Sequence, residues 1–180
     1  MDSPDSEIRI RQARVHDIGF VQEIYSEQVL NGVATFEELP PSVDEMTRRL
    51  ESIVASKLPY LVADREGAIV GYCYATAYRP RAAYRYTIEN SVYVARSCRR
   101  QGVGRLLLGR LIESCEAGPW HQMIAVIGDS GNAGSIALHE AHGFAHVGCI
   151  RGAGFKFGRW VDTVLMQIPL NGGIASMPAD

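Results

Sequence analysis

A strand that runs through a cluster of arginines into two glycines leaves a chain few folding options, and residues 87–115 form such a stretch. Thr87–Val94 (T-I-E-N-S-V-Y-V) reads as a strand, R-S-C-R-R-Q at 96–101 as a short basic turn, and Gly102–Cys115 as a helix. Val103, Leu106, Leu107, Leu111 and Ile112 make the inward face of that helix. Gly102 and Gly104 lack a β-carbon, so a ligand can approach the backbone closely there. The first N–H groups of a helix have no partner within it, and its N-terminus carries partial positive charge. Together with Arg99, Arg100 and Arg105 they make a place for a phosphate or pyrophosphate.

Several familiar phosphate binders are excluded. A dinucleotide fingerprint needs a third glycine at 107, where Leu107 stands, and there is no G-K-S or G-K-T for a P-loop. His139, His142 and His146 do not form H-E-x-x-H, and Gly143 ends their helix, so no metal is expected. A formal net charge of −2 gives no support for nucleic-acid or membrane binding through charge. No apolar run approaches the ~20 residues that span a bilayer. Cys73, Cys98, Cys115 and Cys149 are scattered without a C-x-x-C pair, and the N-terminal M-D-S-P-D-S-E is acidic and polar. Both point to a reducing, cytoplasmic setting.

The remaining chain supplies the frame. Ile8–Gln12 reads as an edge-like strand, and Asp17 as the cap of a helix that Asn31-Gly32 ends. A loop at Val33–Pro41 follows, then a second helix with a capping box at Ser42–Glu45, ending near Lys57. Tyr60–Ala63 and Ala68–Tyr78 form a hairpin, and the basic, aromatic Arg79–Tyr86 a loop. Met123–Ile127 is a buried strand, and Ser135–His142 a short helix. Strands near Val147–Arg151 and Trp160–Ile168 flank a glycine-rich loop at Gly152–Gly158. This order predicts an α/β protein with a mixed sheet: one domain over residues 1–170 and a flexible tail over 171–180.

Two signatures at matching spacing carry a resemblance. Arg99-x-x-Gly102-x-Gly104 is similar to the acetyl-CoA signature of the GNAT superfamily of N-acetyltransferases, and Asn132-x-x-Ser135-Ile136-Ala137-Leu138-His139-Glu140-Ala141-His142-Gly143-Phe144 resembles that superfamily's second segment. Y-x-x-T-x-E-N-S-V-Y-V, A-V-I-G, L-H-E-A-H-G-F and G-F-K-F-G-R-W-V-D narrow the likeness to the phosphinothricin and methionine sulfoximine N-acetyltransferase branch.

The resemblance implies a mostly antiparallel central sheet splayed at the cofactor strand, with helices on both faces. It implies acetyl-CoA as cosubstrate, held by backbone groups of Ser91, Val92, Tyr93 and Val94 along its arm. Arg99, Arg100, Gln101, Gly102, Val103, Gly104 and Arg105 would hold its pyrophosphate, and Asn132 and Ser135 would stand on the opposite lip. It places the catalytic glutamate at Glu89, as base for the amine. His139 takes the position where many members carry a tyrosine, and the branch shares the histidine; proton transfer and a buried structural role both stand open.

For a small amino-acid-like acceptor with an anionic head, Arg79 and Arg81 are the candidate partners. Tyr78, Pro80, Ile88 and Asn90 are expected to shape the pocket and Phe36 to close it. In this branch Lys156 and Phe157 are expected near the substrate, at a homodimer interface. Another amine, a protein N-terminus, or a catalytically silent acetyl-CoA-binding module remain alternatives.

Overall fold

The computed structural model describes residues 7–178; the acidic leader at residues 1–6 lies outside them, as do 179–180. Seven strands form one sheet: β1 (Arg9–Gln12), β2 (Tyr60–Arg65), β3 (Ala68–Ala77), β4 (Thr87–Val94), β5 (Gln122–Gly128), β6 (Ala145–Lys156) and β7 (Arg159–Pro169). Their spatial order is β1-β2-β3-β4-β5-β7-β6. Every pair is antiparallel except β4 and β5, which lie parallel because the helix between them carries the chain back across the sheet.

Four helices cover the two faces: α1 (Ile18–Asn31), α2 (Val43–Ala55), α3 (Val103–Glu116) and α4 (Ala133–Glu140). The period-2 alternation of the strands sorts the faces. Gly71 and Cys73 of β3 meet α3, with the Cys73 thiol donating to Leu107 O at 3.4 Å. Leu107, Leu108 and Leu111 are fully buried there, each worth about 1.5–3 kcal/mol over exposure. The opposite face carries a run of stacked tyrosines, Tyr60 on Tyr74 and Tyr72 on Tyr93, with Tyr25 of α1 edge-on to Tyr93.

Local expectations were corrected in three places. Asp17 does not cap α1 with its side chain; its buried carboxylate takes both ends of the Arg11 guanidinium, at 2.7 and 2.8 Å, and the Arg14 N–H at 2.8 Å. An ion pair from β1 satisfied the carboxylate better than its own helix start could. Ser42 does cap α2, accepting from Glu45 N–H at 3.2 Å, but Glu45 turns to Arg48 and Arg49. The glycine-rich stretch is no loop: β6 runs through it to Lys156, and the reversal is confined to Phe157-Gly158, both left-handed at φ of 51° and 73°. Pairing with β7 keeps it extended, with register shifts between Ile150 and Gly154. After Leu170 the chain turns back, with Asn171 donating to Gly118 O and Trp120 O.

Candidate active site

The site is a split in the sheet. β4 and β5 pair from Thr87↔Gln122 to Asn90↔Ala125 and no further, although β4 continues to Val94 and β5 to Gly128. A cleft of about 640 Å³ opens from this split toward the basic turn. Val92, Tyr93 and Val94 line one side, Asn132, Gly134, Ser135 and Leu138 the other, and Arg99, Arg100, Gly102, Val103, Gly104 and Arg105 its far end. A smaller recess at the apex is bounded by Asn90, Ser91, Val126, Asn132, Ser135 and His139.

The far end is built for an anion. Gly102 sits at φ 80° as the residue before α3, a left-handed turn that reverses the chain into the helix. The first bond into the helix runs from Leu106 N–H to Gly102 O at 3.1 Å, and the N–H groups of Val103, Gly104 and Arg105, residues that line the cleft, have no backbone partner. The arginines stand exposed around them, Arg99 touching Glu27 at 3.4 Å. A pyrophosphate on an extended arm fits this cradle. Of the residues expected at the pyrophosphate, Gln101 does not line the cleft; it donates to Ser97 O at 2.9 Å and accepts from Arg65 at 3.0 Å.

Two titratable groups lie on opposite faces of the sheet where the pairing ends: His139 bounds the apex recess, whereas Glu89 lines neither the recess nor the cleft. Glu89 lies on the tyrosine face, opposite Thr76 of β3, half buried. Burial pushes its carboxyl above the usual 4.5, with Arg79 pulling the other way. His139 comes from α4 on the other face and is 4% exposed. Its Nδ1 meets Ser135 O at 2.8 Å and its Nε2 meets Asn90 Oδ1 at 3.0 Å. Burial pushes its pKa below 6.5; the Ser135 carbonyl opposes this and nearby His142 adds to it.

The other expected residues divide. Arg79 stacks its guanidinium over the Tyr78 ring at 5.0 Å, and Arg79, Pro80 and Arg81 are exposed in the loop before β4. Phe36 lies over Gly154 of β6, so close that a β-carbon there would stand 2.5 Å from its ring. Ile88 is 1% exposed and packed in the core, so it shapes no pocket; Asn90 is 5% exposed, bonded to His139, and bounds only the apex recess. Alternation explains both: they point to the α3 face, away from Glu89. Phe157 is exposed at the hairpin tip. Lys156 is 2% exposed, and its ammonium donates to Gly32 O at 2.9 Å and Thr35 O at 2.8 Å. It pins the α1–α2 loop with two of its three donors, and the ammonium lies 5.0 Å from the centre of the Phe157 ring.

That loop is the part the sequence did not announce. Gln28, Val33 and Ala34 line the long cleft, and Thr35 is held by Tyr25 Oη at 2.8 Å. Nothing local marks these residues; their place is set by Lys156, far along the chain. Among the described residues no group of three or more His, Cys, Asp or Glu could hold a metal ion, and no helix is long and apolar enough to cross a membrane.

A parallel strand pair that parts halfway, with an anion cradle at the head of the following helix, is the acyl-donor site of one enzyme class. The chain belongs to the GNAT acetyltransferase family, whose domain model, "Acetyltransferase (GNAT) domain", matches residues 10–165; it is an N-acetyltransferase with acetyl-CoA as acyl donor. It is 53% identical to a phosphinothricin N-acetyltransferase of Alcaligenes faecalis over 169 residues, covering 94% of this chain and 86% of that protein. It is 39% identical to an L-methionine sulfoximine/L-methionine sulfone acetyltransferase of Pseudomonas aeruginosa over 163 residues, 90% of this chain and 94% of that one. The crystal structure of a phosphinothricin acetyltransferase from Sinorhizobium meliloti, in complex with acetyl-CoA, superposes at a TM-score of 0.93 with 46% identity, covering 96% of this chain and 94% of that one.

Proposed function

We propose that this enzyme acetylates the α-amino group of small amino-acid-like compounds such as phosphinothricin and methionine sulfoximine, by direct transfer with Glu89 as general base. The observation that carries the reading is Glu89 itself, half buried beside the split with its proton affinity raised by burial. A carboxylate in that state takes a proton from an ammonium more readily than a solvated one does. The neutral amine then attacks the acetyl carbon, the C–N bond forms, and the C–S bond breaks with its electron pair left on sulfur while nitrogen gives up its second proton to water. Backbone N–H groups of β4 beyond Asn90 are the donors for the intermediate's oxyanion. His139 stands across the sheet as the second proton-handling group. Arg79 and Arg81 suit an acceptor with an anionic head, and Arg79 already lies close enough to influence Glu89.

The homologous transferases from Alcaligenes faecalis and Pseudomonas aeruginosa support the acceptor class by their names. The reading includes a homodimer joined along β6, supported by Val147, Ile150, Phe155, Phe157 and Trp160, all more than half exposed. It places the enzyme in the cytoplasm, in keeping with four free cysteines, three of them buried. The test is steady-state release of free thiol with phosphinothricin, methionine sulfoximine and a panel of amino acids, polyamines and N-terminal peptides. Turnover should concentrate on the first two and on amino acids of similar size. Turnover with a polyamine or a peptide and none with these would refute the acceptor class.

A further inference from the structure

The apex of the split holds a closed hydrogen-bond chain whose donors and acceptors balance in one protonation state. It runs from Ser135 O to His139 Nδ1 at 2.8 Å, from His139 Nε2 to Asn90 Oδ1 at 3.0 Å, and from Asn90 Nδ2 to Ile124 O at 3.2 Å. Both ends are backbone carbonyls, which only accept. Nδ1 must therefore carry hydrogen, and the NH2 end of Asn90 must face Ile124. That leaves the Asn90 oxygen, another acceptor, against Nε2, so Nε2 must carry hydrogen too. A neutral ring breaks the chain: either Nε2 and Oδ1 face each other as two lone pairs, or the amide turns and sets its oxygen against Ile124 O. Only the imidazolium makes all three bonds.

The surroundings restrict what else can tune the ring. His139 lies in the last turn of α4, where the helix dipole favours a cation. Phe144 packs edge-on to it at 4.9 Å between centroids. β5 has no titratable residue, and the two on β4, Glu89 and Tyr93, point to the opposite face of the sheet. From α4 and its end, Glu140 is exposed and His142 sits with its ring nitrogens on Leu138 O and Arg105 O. From α3, the Arg105 side chain is exposed. Burial works against the charge, so the ring depends on its acceptors to keep it.

We propose that Asn90 is a positioning residue for acetyl transfer: tied to Ile124 by its NH2 group, it offers His139 only an oxygen and so raises the ring's hold on a second proton at the split. The catalytic consequence rests on the proposed direct transfer. One proton leaves the ammonium for Glu89 before attack, nitrogen gives a second to water as the C–S bond breaks, and the sulfur receives one from His139 Nε2; Glu89 and His139 then return to their starting states by exchange with water, with one proton released overall. On losing its proton the ring also loses its bond to Asn90, so each turnover is coupled to the side chain that ties the last paired residues of β4 and β5.

The test reads protonation without turnover. In protein labelled with 15N-histidine, the five histidines are resolved by long-range 1H–15N spectra, and His139 is assigned by its loss in His139→Gln. Both His139 nitrogens should show the imidazolium signature on the acid side of the ring's midpoint, which burial should hold under 6.5. Asn90→Leu should lower its proton affinity by about tenfold or more, and Asn90→Asp should raise it. Opposite shifts from two substitutions at one position cannot come from a common folding defect. The alkaline limb of kcat should move with the spectroscopic midpoint in each variant, while KM for acetyl-CoA holds. A midpoint unmoved by Asn90→Leu, or one lowered by Asn90→Asp, overturns the proposal. If the midpoint moves and the kcat limb does not, the catalytic consequence is overturned, whichever amine proves to be the acceptor.

Discussion

Replacing Lys156 with methionine removes two hydrogen bonds and almost no volume. The ammonium donates to Gly32 O at 2.9 Å and Thr35 O at 2.8 Å, from a side chain that is 2% exposed. Each hydrogen bond from a charged donor contributes about 1.5–3 kcal/mol, so the gross loss is about 3–6 kcal/mol. Two effects reduce it: the variant no longer buries a cation, and the Gly32 carbonyl can recover water. Burial already lowers the pKa of Lys156, with Glu38 and Glu37 resisting, which is the sign of a real desolvation cost. A net loss of about 2–3 kcal/mol is expected, or about 4–12 °C in Tm for a domain of this size. The deficit should fall on the contact between loop and hairpin. Thr35 stays tied to Tyr25, and Tyr25 to Glu37, so the α1 end of the loop is held while Phe36 loses its seat over Gly154. Melting followed by circular dichroism should show the drop. Steady-state kinetics should show kcat/KM for the acceptor down about tenfold or more, with a smaller change for acetyl-CoA. Unchanged melting together with unchanged acceptor kinetics would refute the idea that this lysine holds the loop.

Glu89→Gln should lower kcat/KM by about 100-fold or more and abolish the acidic limb of the pH profile, which in the wild type should lie above 4.5 because burial raises this carboxyl. A loss of only a few-fold would make Glu89 a positioning residue. Gly102→Val should abolish CoA binding in calorimetry with the domain still folded: a β-carbon there meets nothing within 4 Å, but a β-branched residue cannot hold φ 80°. Unchanged affinity would contradict the pyrophosphate cradle. Asp17→Ala should cost about 3 kcal/mol in urea unfolding by removing two charged hydrogen bonds from Arg11, which keeps only Asp64 at 2.9 Å. Burial alone would raise the Asp17 carboxyl, but the Arg11 hydrogen bonds and the Arg14 N–H outweigh it and hold the group below 3.8. A carboxyl depressed in the fold stabilises it fully above the unfolded value and loses that contribution as pH falls through the folded one. The gap between wild type and Asp17→Ala should therefore close below about pH 3.8.

What the sequence disclosed was what short-range chemistry dictates. The strand, basic turn and glycine before α3 follow one another within a few residues, and so do Asn132 and Ser135 at the head of α4, where the Asn132 side chain accepts from Ser135 N–H at 3.2 Å. Alternation along β4 could have warned that Ile88 and Asn90 do not share a face with Glu89. Partnerships across long stretches of chain left no local trace. Glycines at 152, 154 and 158 read as a loop, yet β7 keeps most of that stretch extended. A lysine between two phenylalanines looked available to a substrate; the carbonyls that take two of its donors lie 124 and 121 residues away. Asp17 stood where a cap belongs, and Arg11 took it.

The early end of the β4–β5 ladder also bears on how freely this site can change its sequence. Ser91–Val94 and Val126–Gly128 keep their outer partners, β3 and β7, so each presents hydrogen-bonding backbone only toward the gap. It is a sheet edge enclosed within the sheet, out of reach of another protein's strand and exposed to a slender ligand. A ligand arm that pairs with main-chain groups is recognised whatever side chains stand there. Side chains along β4 past Asn90 then answer to the core they pack against, Tyr93 to Tyr72 and Tyr25 among them, and the acyl donor itself asks little of them.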